Sequence, residues 1–422
     1  MANDLSSLRA LEEVEYVRNQ WLEAEKMMLE KRYPEGFPAL PELPLGRYTD
    51  REFFEIEKEY MWKRTWILVG FANEVPDPGS FKAIDVLGHP VILARDKAGE
   101  IRAFHNVCKH RGAKVCQTHT GVAANFRCPY HSWTYDLEGK LIFVPDEHEF
   151  PGLDKSTKSL SKLRCERLGN LIFVCFDLNA RPLTEFFSGI SDLMADVPFD
   201  RVALHDTLQW DIDCNWKCGH DAFVETYHVK FIHPQTANKT LDGKRVVRYL
   251  FGNGHVAMIV KNRGDAHETV FRKKETSEAL KQSDANVMKP LTHVAQRAYN
   301  LFPSITMVAF ENVFSIIQIL PVAAGKCQMK VYIVKILGNT EVDLDQLADE
   351  AVIGFKPIME EDVFNIAQMH ASMSSGASTT IPLSFGEHSI HHYHQVMDEV
   401  IGAERVPEHL RVTRVELPLV HR

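Results

Sequence analysis

Two cysteine–histidine pairs constrain this chain more than any other feature. Cys108-Lys109-His110 and Cys128-Pro129-Tyr130-His131 are separated by 17 residues, and each pair offers one thiolate and one imidazole. Four soft-to-borderline donors in two short stretches suit one metal centre, so the backbone between them must turn back on itself. Turn formers stand at both pairs, Arg111-Gly112 after the first and Pro129 inside the second. Two metals compete for this set. Zinc-finger spacing sets Cys with Cys and His with His, whereas here the two types alternate. A two-iron, two-sulfide cluster with two cysteines on one iron and two histidines on the other accepts that alternation.

The surroundings are those of a soluble chain. A length of 422 residues allows two or three domains, with 45% hydrophobic and 25% charged residues. The net charge of −9 argues against a nucleic-acid or anionic-membrane binder. No apolar run approaches the ~20 residues of a membrane span. Met1–Leu5 does not begin a secretory leader, so the expected compartment is the cytoplasm and the 8 cysteines are expected as thiols.

Patterning divides the chain. Leu11, Val14, Val17, Trp21, Ala24 and Met28 recur at helical spacing, a proline-rich connector follows from Pro34 to Pro44, and Thr49 with Glu52 marks a second helix start by capping-box spacing. Short β-like runs then dominate: Trp66–Phe71, Pro90–Ala94, Leu141–Val144 and Asn170–Phe176. Beyond them, helical stretches near Asp213–Tyr227 and Asp343–Met369 flank strand-like runs at Val256–Val260, Ile305–Val308 and Phe314–Leu320. That third region reads as α+β.

A second donor set lies in it. Asn215-Trp216-Lys217 is followed by Asp221, Phe223, Glu225, Tyr227, His228 and His233. At 100° per residue, Glu225, His228 and His233 fall at 0°, −60° and about 80° of one helix, whose end Pro234 marks. Two neutral imidazoles and one carboxylate on one face of an octahedron leave three positions open, the arrangement of oxygen-activating non-haem iron.

The stretches Phe104–Gly112 and Cys128–Asp136 resemble the large (alpha) subunits of Rieske-type non-haem iron ring-hydroxylating oxygenases. Ser132 stands where members commonly carry Gly, and Lys109 where Pro is frequent. The resemblance implies an all-β Rieske module, 63–178, inserted in a larger α+β catalytic domain of helix-grip, START-like form with an antiparallel sheet, made from 1–62 and 179–422. It implies a [2Fe–2S] cluster on Cys108, His110, Cys128 and His131, and a mononuclear Fe(II) on His228, His233 and an acidic residue of a late helix. In Glu360-Glu361-Asp362-Val363 that residue is Asp362, with Glu361 the alternative. Glu225 occupies a slot that is usually Asp in ring-dihydroxylating members and often Glu in those acting on quaternary amines. Its implied catalytic role is to link a Rieske histidine of one subunit to an iron-ligand histidine of the next.

The implied activity is hydroxylation, mono- or cis-dihydroxylation, of an aromatic or other apolar small molecule with O2. Electrons come from NAD(P)H through a separate reductase, in some members with a ferredoxin, and the implied assembly is a homotrimer, in some members with a small beta subunit. The alternative reading is oxidative N- or O-demethylation or quaternary-amine monooxygenation. An electron carrier without oxygenase activity leaves Glu225, His228, His233 and Asp362 unexplained, and a zinc-organised binding module leaves the alternating pairs unexplained. Other candidates read as structural: the Cys116 thiol, Cys214 and Cys218 as packed cysteines, His388, His391, His392 and His394 as a tract without iron, and Asp343–Glu350 as a solvated helix start. Apolar pocket walls are expected from Phe223, Val224, Met307 and Phe310.

Overall fold

The computed structural model of the chain describes residues 2–263, 295–309, 312–338 and 342–420. It divides into two compact units, Trp62–Phe186 and the remainder, Met1–Met61 with Phe187–Arg422.

The larger unit begins with helix α1 (Ala2–Glu30), which lies against the strand Leu241–Leu250 and buries Val17 and Trp21; the side chains of Leu11 and Val14 lie outside the described set. Strand β1 (Leu43–Pro44), the single turn α2 (Gly46–Thr49) and helix α3 (Arg51–Tyr60) follow. The cap of α3 is Asp50, whose side chain accepts from Phe53 N–H, and not Thr49. A carboxylate one residue later meets the free N–H groups and complements the positive end of the helix better than a hydroxyl, and Thr49 is itself the last residue of α2.

The smaller unit is all β apart from short turns. It holds β2 (Ile67–Phe71), β3 (Ser80–Val86), β4 (His89–Arg95), β5 (Ile101–His105), β6 (Thr120–Val122), β7 (Phe126–Arg127), β8 (Thr134–Tyr135), β9 (Leu141–Phe143), β10 (Lys162–Leu168) and β11 (Leu171–Cys175). One seven-stranded sheet runs β2-β11-β10-β5-β4-β3-β6, and a three-stranded sheet runs β7-β8-β9. Phe104, Phe126, Trp133 and Tyr135 fill the core beside Cys108 and Cys128. Both cysteines therefore sit on the inner side of their loops.

The smaller unit ends with the single turn α4 (Leu183–Phe186), and the larger resumes with α5 (Ile190–Leu193), β12 (Val202–Ile212), α6 (Trp216–Phe223), α7 (Val229–Ile232), β13 (Leu241–Leu250), β14 (Val256–Asn262), β15 (Ala295–Leu301), β16 (Ile305–Ala309), β17 (Val313–Ala323) and β18 (Lys326–Ile336). The chain then forms α8 (Leu344–Met373), β19 (Thr380–Ile381), paired with β1, and α9 (His388–Ile401). Its seven-stranded sheet is antiparallel throughout, in the order β12-β18-β17-β16-β15-β14-β13. Helices α6 and α8 pack on one face. The segment around α5 covers the other, where Tyr299 and Arg297 reach Leu193 and Asp196. Long apolar runs such as Val313–Leu320 are buried on both sides, which is why they do not alternate in the sequence. Among the described residues no helix is long and apolar enough to cross a membrane.

Candidate metal centres

In the smaller unit the two donor loops are near copies of each other. Gly112 N–H donates to the Cys108 carbonyl at 2.9 Å, and Cys108 N–H to that of Ala113 at 2.9 Å. In the second loop Ser132 N–H donates to the Cys128 carbonyl at 2.9 Å, and Cys128 N–H to that of Trp133 at 2.8 Å. The fifth residue of each loop, Gly112 or Ser132, takes a left-handed backbone with φ of 79° and 58°, the region where a side chain is strained and glycine is not. The loops bring like donors together. The Cys108 thiol meets that of Cys128, and His110 Nδ1 lies 3.0 Å from His131 Nδ1. His110 stacks on Trp133 at 5.0 Å, and Tyr130 covers His131 at 3.8 Å. Tyr135 Oη accepts from Lys109 N–H at 2.9 Å, which leaves its own proton for Cys108 Sγ at 3.3 Å.

The larger unit gathers a second set, though not on one helix. α6 ends at Phe223, the chain breaks, and α7 spans only Val229–Ile232, with His228 before it and His233 after it. The break has a local cause: the Glu225 carboxylate accepts from Tyr227 N–H and His228 N–H, taking donors that a continuous helix would use. The same carboxylate meets His228 Nδ1. His233 Nδ1 lies 2.7 Å from Glu361 Oε2, which also accepts from Thr236 Oγ1 at 2.7 Å. Each Nδ1 is thus occupied by a carboxylate, and the two Nε2 atoms face Asp362 Oδ1 at 3.8 and 3.0 Å. The ligand atoms of His228, His233 and Asp362 all lie within 4.8 Å of one another. Burial opposes charge on His233, but Asp362 and Glu361 outweigh it and raise the pKa of the ring. Of the two carboxylates left open by the sequence, Asp362 joins the triad and Glu361 stands behind His233.

These arrangements can be set against known proteins. A family model described as the Rieske [2Fe-2S] domain matches residues 65–161, and one described as the ring hydroxylating alpha subunit (catalytic domain) matches residues 199–403. The chain belongs to the Rieske-type non-haem iron oxygenase family. Among curated relatives, the Rieske oxygenase chain is 37% identical over 188 residues to the biphenyl 2,3-dioxygenase subunit alpha of Rhodococcus jostii, covering 43% of this chain and 41% of that one. It is 31% identical over 204 residues to the glycine betaine monooxygenase oxygenase subunit of Pseudomonas aeruginosa, covering 47% and 46%. The matches thus span less than half the length of these curated relatives. In fold it resembles a quaternary ammonium Rieske monooxygenase (TM-score 0.73, 22% identity, 87% of this chain and 99% of that one). It also resembles the naphthalene 1,2-dioxygenase of a Rhodococcus species (TM-score 0.69, 20% identity, 86% and 95%).

The two domains imply a [2Fe–2S] cluster and a mononuclear iron. The donors present fit both. Thiols paired with thiols and imidazoles with imidazoles suit two irons of different ligand type. Two imidazoles with fixed Nδ1 partners and one carboxylate suit a single iron with open positions.

The Rieske oxygenase chain also contains a polar network that sequence reasoning missed. Arg47 Nε donates to His394 Nδ1 at 2.8 Å, which leaves the proton of the ring on Nε2, 3.1 Å from Tyr48 Oη. Tyr48 in turn donates to Asp221 Oδ2 at 2.6 Å. Burial pushes the Asp221 carboxyl up to about 6, with His220 and the Tyr48 hydrogen bond pulling the other way. Only the Asn215-Trp216-Lys217 motif pointed toward this carboxylate. His388, His391, His392 and His394 are buried on α9 and, among the described residues, belong to no metal-like group. Cys116 is buried, and burial pushes its thiol up to about 12. Cys214 Sγ lies 3.4 Å from Cys327 Sγ, and Cys218 packs on Met373. Of the expected pocket walls, Val224 packs with Leu43 and Ile390. Met307, paired with Ile316 and Tyr299, faces the α5 side of the sheet, away from α6, because strand residues alternate. Phe310 lies outside the described residues.

Proposed function

We propose that this chain is the terminal oxygenase of a multi-component cytoplasmic system, oxidising a small organic molecule with O2 and electrons that a separate reductase, with or without a ferredoxin, draws from NAD(P)H. One observation carries the reading: a second set of donors, His228, His233 and Asp362, converges in a chain that also holds a Cys2His2 set. An electron carrier has no use for the second set. In this reading Cys108, His110, Cys128 and His131 hold the cluster, and His228, His233 and Asp362 hold the iron. When bound, that iron supplies O2 activation at its open positions. The remaining work belongs to the protein. Glu225 and Glu361 each hold the Nδ1 proton of one histidine, fixing tautomer and ring plane so that both Nε2 lone pairs stay aimed at one point. Asp362 and His233, with side chains 3% exposed, keep bulk water from their side of the site.

The first substrate class is an aromatic or other apolar ring. Glu225, in the slot often Glu among members acting on quaternary amines, favours a second reading, demethylation or quaternary-amine oxidation. Reconstitution with an NADH-dependent reductase, fed biphenyl and toluene on one side and glycine betaine and carnitine on the other, separates the two. Ring hydroxylation supports the first, formaldehyde or amine release the second, and reductant consumption with neither sinks the oxygenase reading.

The proposed assembly is a head-to-tail homotrimer, a heterologous interface closed into a ring. Glu225 is proposed to accept from a Rieske histidine of the neighbouring subunit while holding His228. Exposed aromatic side chains beside each donor set, Tyr130 in one unit and Tyr227 with Phe231 in the other, support an interface there. Because Glu225 also steadies His228 Nδ1, Glu225→Gln is tested with iron kept saturating, where it is expected to leave cluster and trimer intact and cut turnover by orders of magnitude. Stopped-flow mixing of the reduced variant with O2 and substrate then finds the cluster still reduced; reoxidation at the wild-type rate removes Glu225 from this role.

A further inference from the structure

We infer that the substrate of this site carries a hydrogen-bond acceptor that meets the Asn300 amide or, at the other end of the same sheet face beneath the iron donors, the Ser315 hydroxyl. This rests on the oxygenase reading above and deepens it.

The register fixes the face. Arg248, Met258, Ala298, Val308, Ser315 and Ile333 oppose one another across β13 to β18, so their side chains share one side of the sheet. Val256, Asn300, Thr306 and Ile317 form the next row on the same side, two residues along each strand. Two contacts identify what roofs that side. Arg248 Nη2 donates to Thr226 Oγ1 at 3.2 Å, next to Glu225. At the other end, a Cβ on Gly219 of α6 would stand 2.8 Å from Ile319 Cδ1, one step beyond Ile317. The segment leading to His228 therefore spans this face, and Asn300 and Ser315 lie between its two footings.

Each carries one buried polar atom that meets no partner among the described residues. Asn300 is 2% exposed; its Oδ1 accepts from Thr306 Oγ1 at 2.7 Å, and its Nδ2 has no partner among the described residues. Ser315 is 0% exposed and its hydroxyl has none either. A buried polar atom without a partner costs stability that Leu or Ala at the same position would not. Two of them on the face of a candidate active site are explained by a ligand that meets them. An amide N–H can only donate, so its complement is an acceptor: a ketone, carboxylate, ether or hydroxyl oxygen. Two strands and one two-residue step separate the pair by ~12 Å, within reach of one small molecule or of two ends of it. A bare hydrocarbon leaves both unmet.

The test is a cycle on the full-length, metal-loaded protein. Dissociation constants are measured by titration calorimetry for two matched pairs, ethylbenzene with acetophenone and diphenylmethane with benzophenone, in the wild type, Asn300→Leu and Ser315→Ala. The hydrocarbon-to-ketone ratio of dissociation constants is expected to fall about tenfold in the variant whose donor the single carbonyl meets, the size of one lost hydrogen bond, and to hold in the other. Unliganded melting temperatures should hold or rise, because each change removes an unmet polar group. Ser315→Ala deletes a single atom and keeps the test alive if Leu is not accommodated. An unchanged ratio in both variants, or a sharp fall in melting temperature, overturns the inference. Turnover of these compounds with an unchanged ratio discards the polar subsite alone, whereas neither binding nor turnover of any of the four discards the aromatic substrate class with it, the quaternary-amine reading keeping its own probes.

Discussion

The histidines of the smaller unit meet across 21 positions of sequence, whereas His233 and Asp362 of the larger unit meet across 129. The first set is made by two loops of one construction, each closed by its own backbone hydrogen bonds and a left-handed fifth residue. The second needs a helix break, a four-residue helix and a distant thirty-residue helix brought together by a seven-stranded sheet. Local assembly tolerates change around it, and long-range assembly concentrates dependence in a few side chains. In the proposed reading the two sites should therefore fail independently.

The largest expected effect tests that independence. Asp362→Ala is expected to remove the mononuclear iron and abolish oxygenation, while the visible spectrum of the cluster stays that of the wild type. Metal analysis together with the spectrum checks it. Loss of both centres at once would make the two regions one cooperative site, and retained activity would move the carboxylate role elsewhere.

Glu361→Gln comes next. The amide keeps the size and the contact with Thr236, but it no longer gives His233 Nδ1–H a charged partner, and loss of such outer partners typically weakens metal binding 10–100-fold. Competitive chelation, followed by iron content, is expected to place this variant between the wild type and Asp362→Ala. If Glu361 were itself the ligand in place of Asp362, the two variants would trade places.

How far the residues foretold the structure follows the same division. The Cys–His loops were legible because spacing, turn formers and donor type all lie within one short stretch. The larger unit was legible as α+β and in its donors, but not in how they are held. The helical projection of Glu225, His228 and His233 assumed one helix, and the Glu225 carboxylate ends that assumption by capping Tyr227 and His228. Adjacent carboxylates at 361 and 362 look alike in sequence; which one meets the imidazole Nε2 atoms depends on how α8 is rotated about its axis. Met307 was misassigned for a related reason. In a strand buried on both sides hydrophobicity does not report the face, and only the register does.

A medium effect separates the polar network from the metal sites. The folded pKa of Asp221 is about 6 against an ordinary 3.8, so the folded chain holds a proton that the unfolded chain has released over that interval. Its contribution to stability is fully present below about pH 4 and is lost as pH rises through about 6, worth about 3 kcal/mol. Asp221→Asn has nothing to ionise. Relative to the wild type, the variant should gain in melting temperature between pH 4.5 and pH 8. A difference that stays flat with pH would mean that Asp221 is already ionised at acid pH.

The smallest effect probes the likeness of the two cluster loops. Gly112 and Ser132 hold equivalent positions and the same left-handed backbone, yet only one is glycine. A side chain there costs roughly 1–2 kcal/mol, while glycine gives back about 0.4–1 kcal/mol through the extra freedom of the unfolded chain. Ser132→Gly also loses one exposed hydrogen bond from Arg127. The net gain should be about 0.5 kcal/mol, seen as a rise of about 2 °C in the temperature at which the cluster absorbance bleaches. Gly112→Ala should move it the other way, and for a backbone reason alone, because a Cβ at Gly112 meets nothing within 4 Å. Opposite signs at the two positions support one loop construction used twice. Equal signs would mean that the loops relax differently around the metal, and that their shared hydrogen bonds do not impose a shared strain.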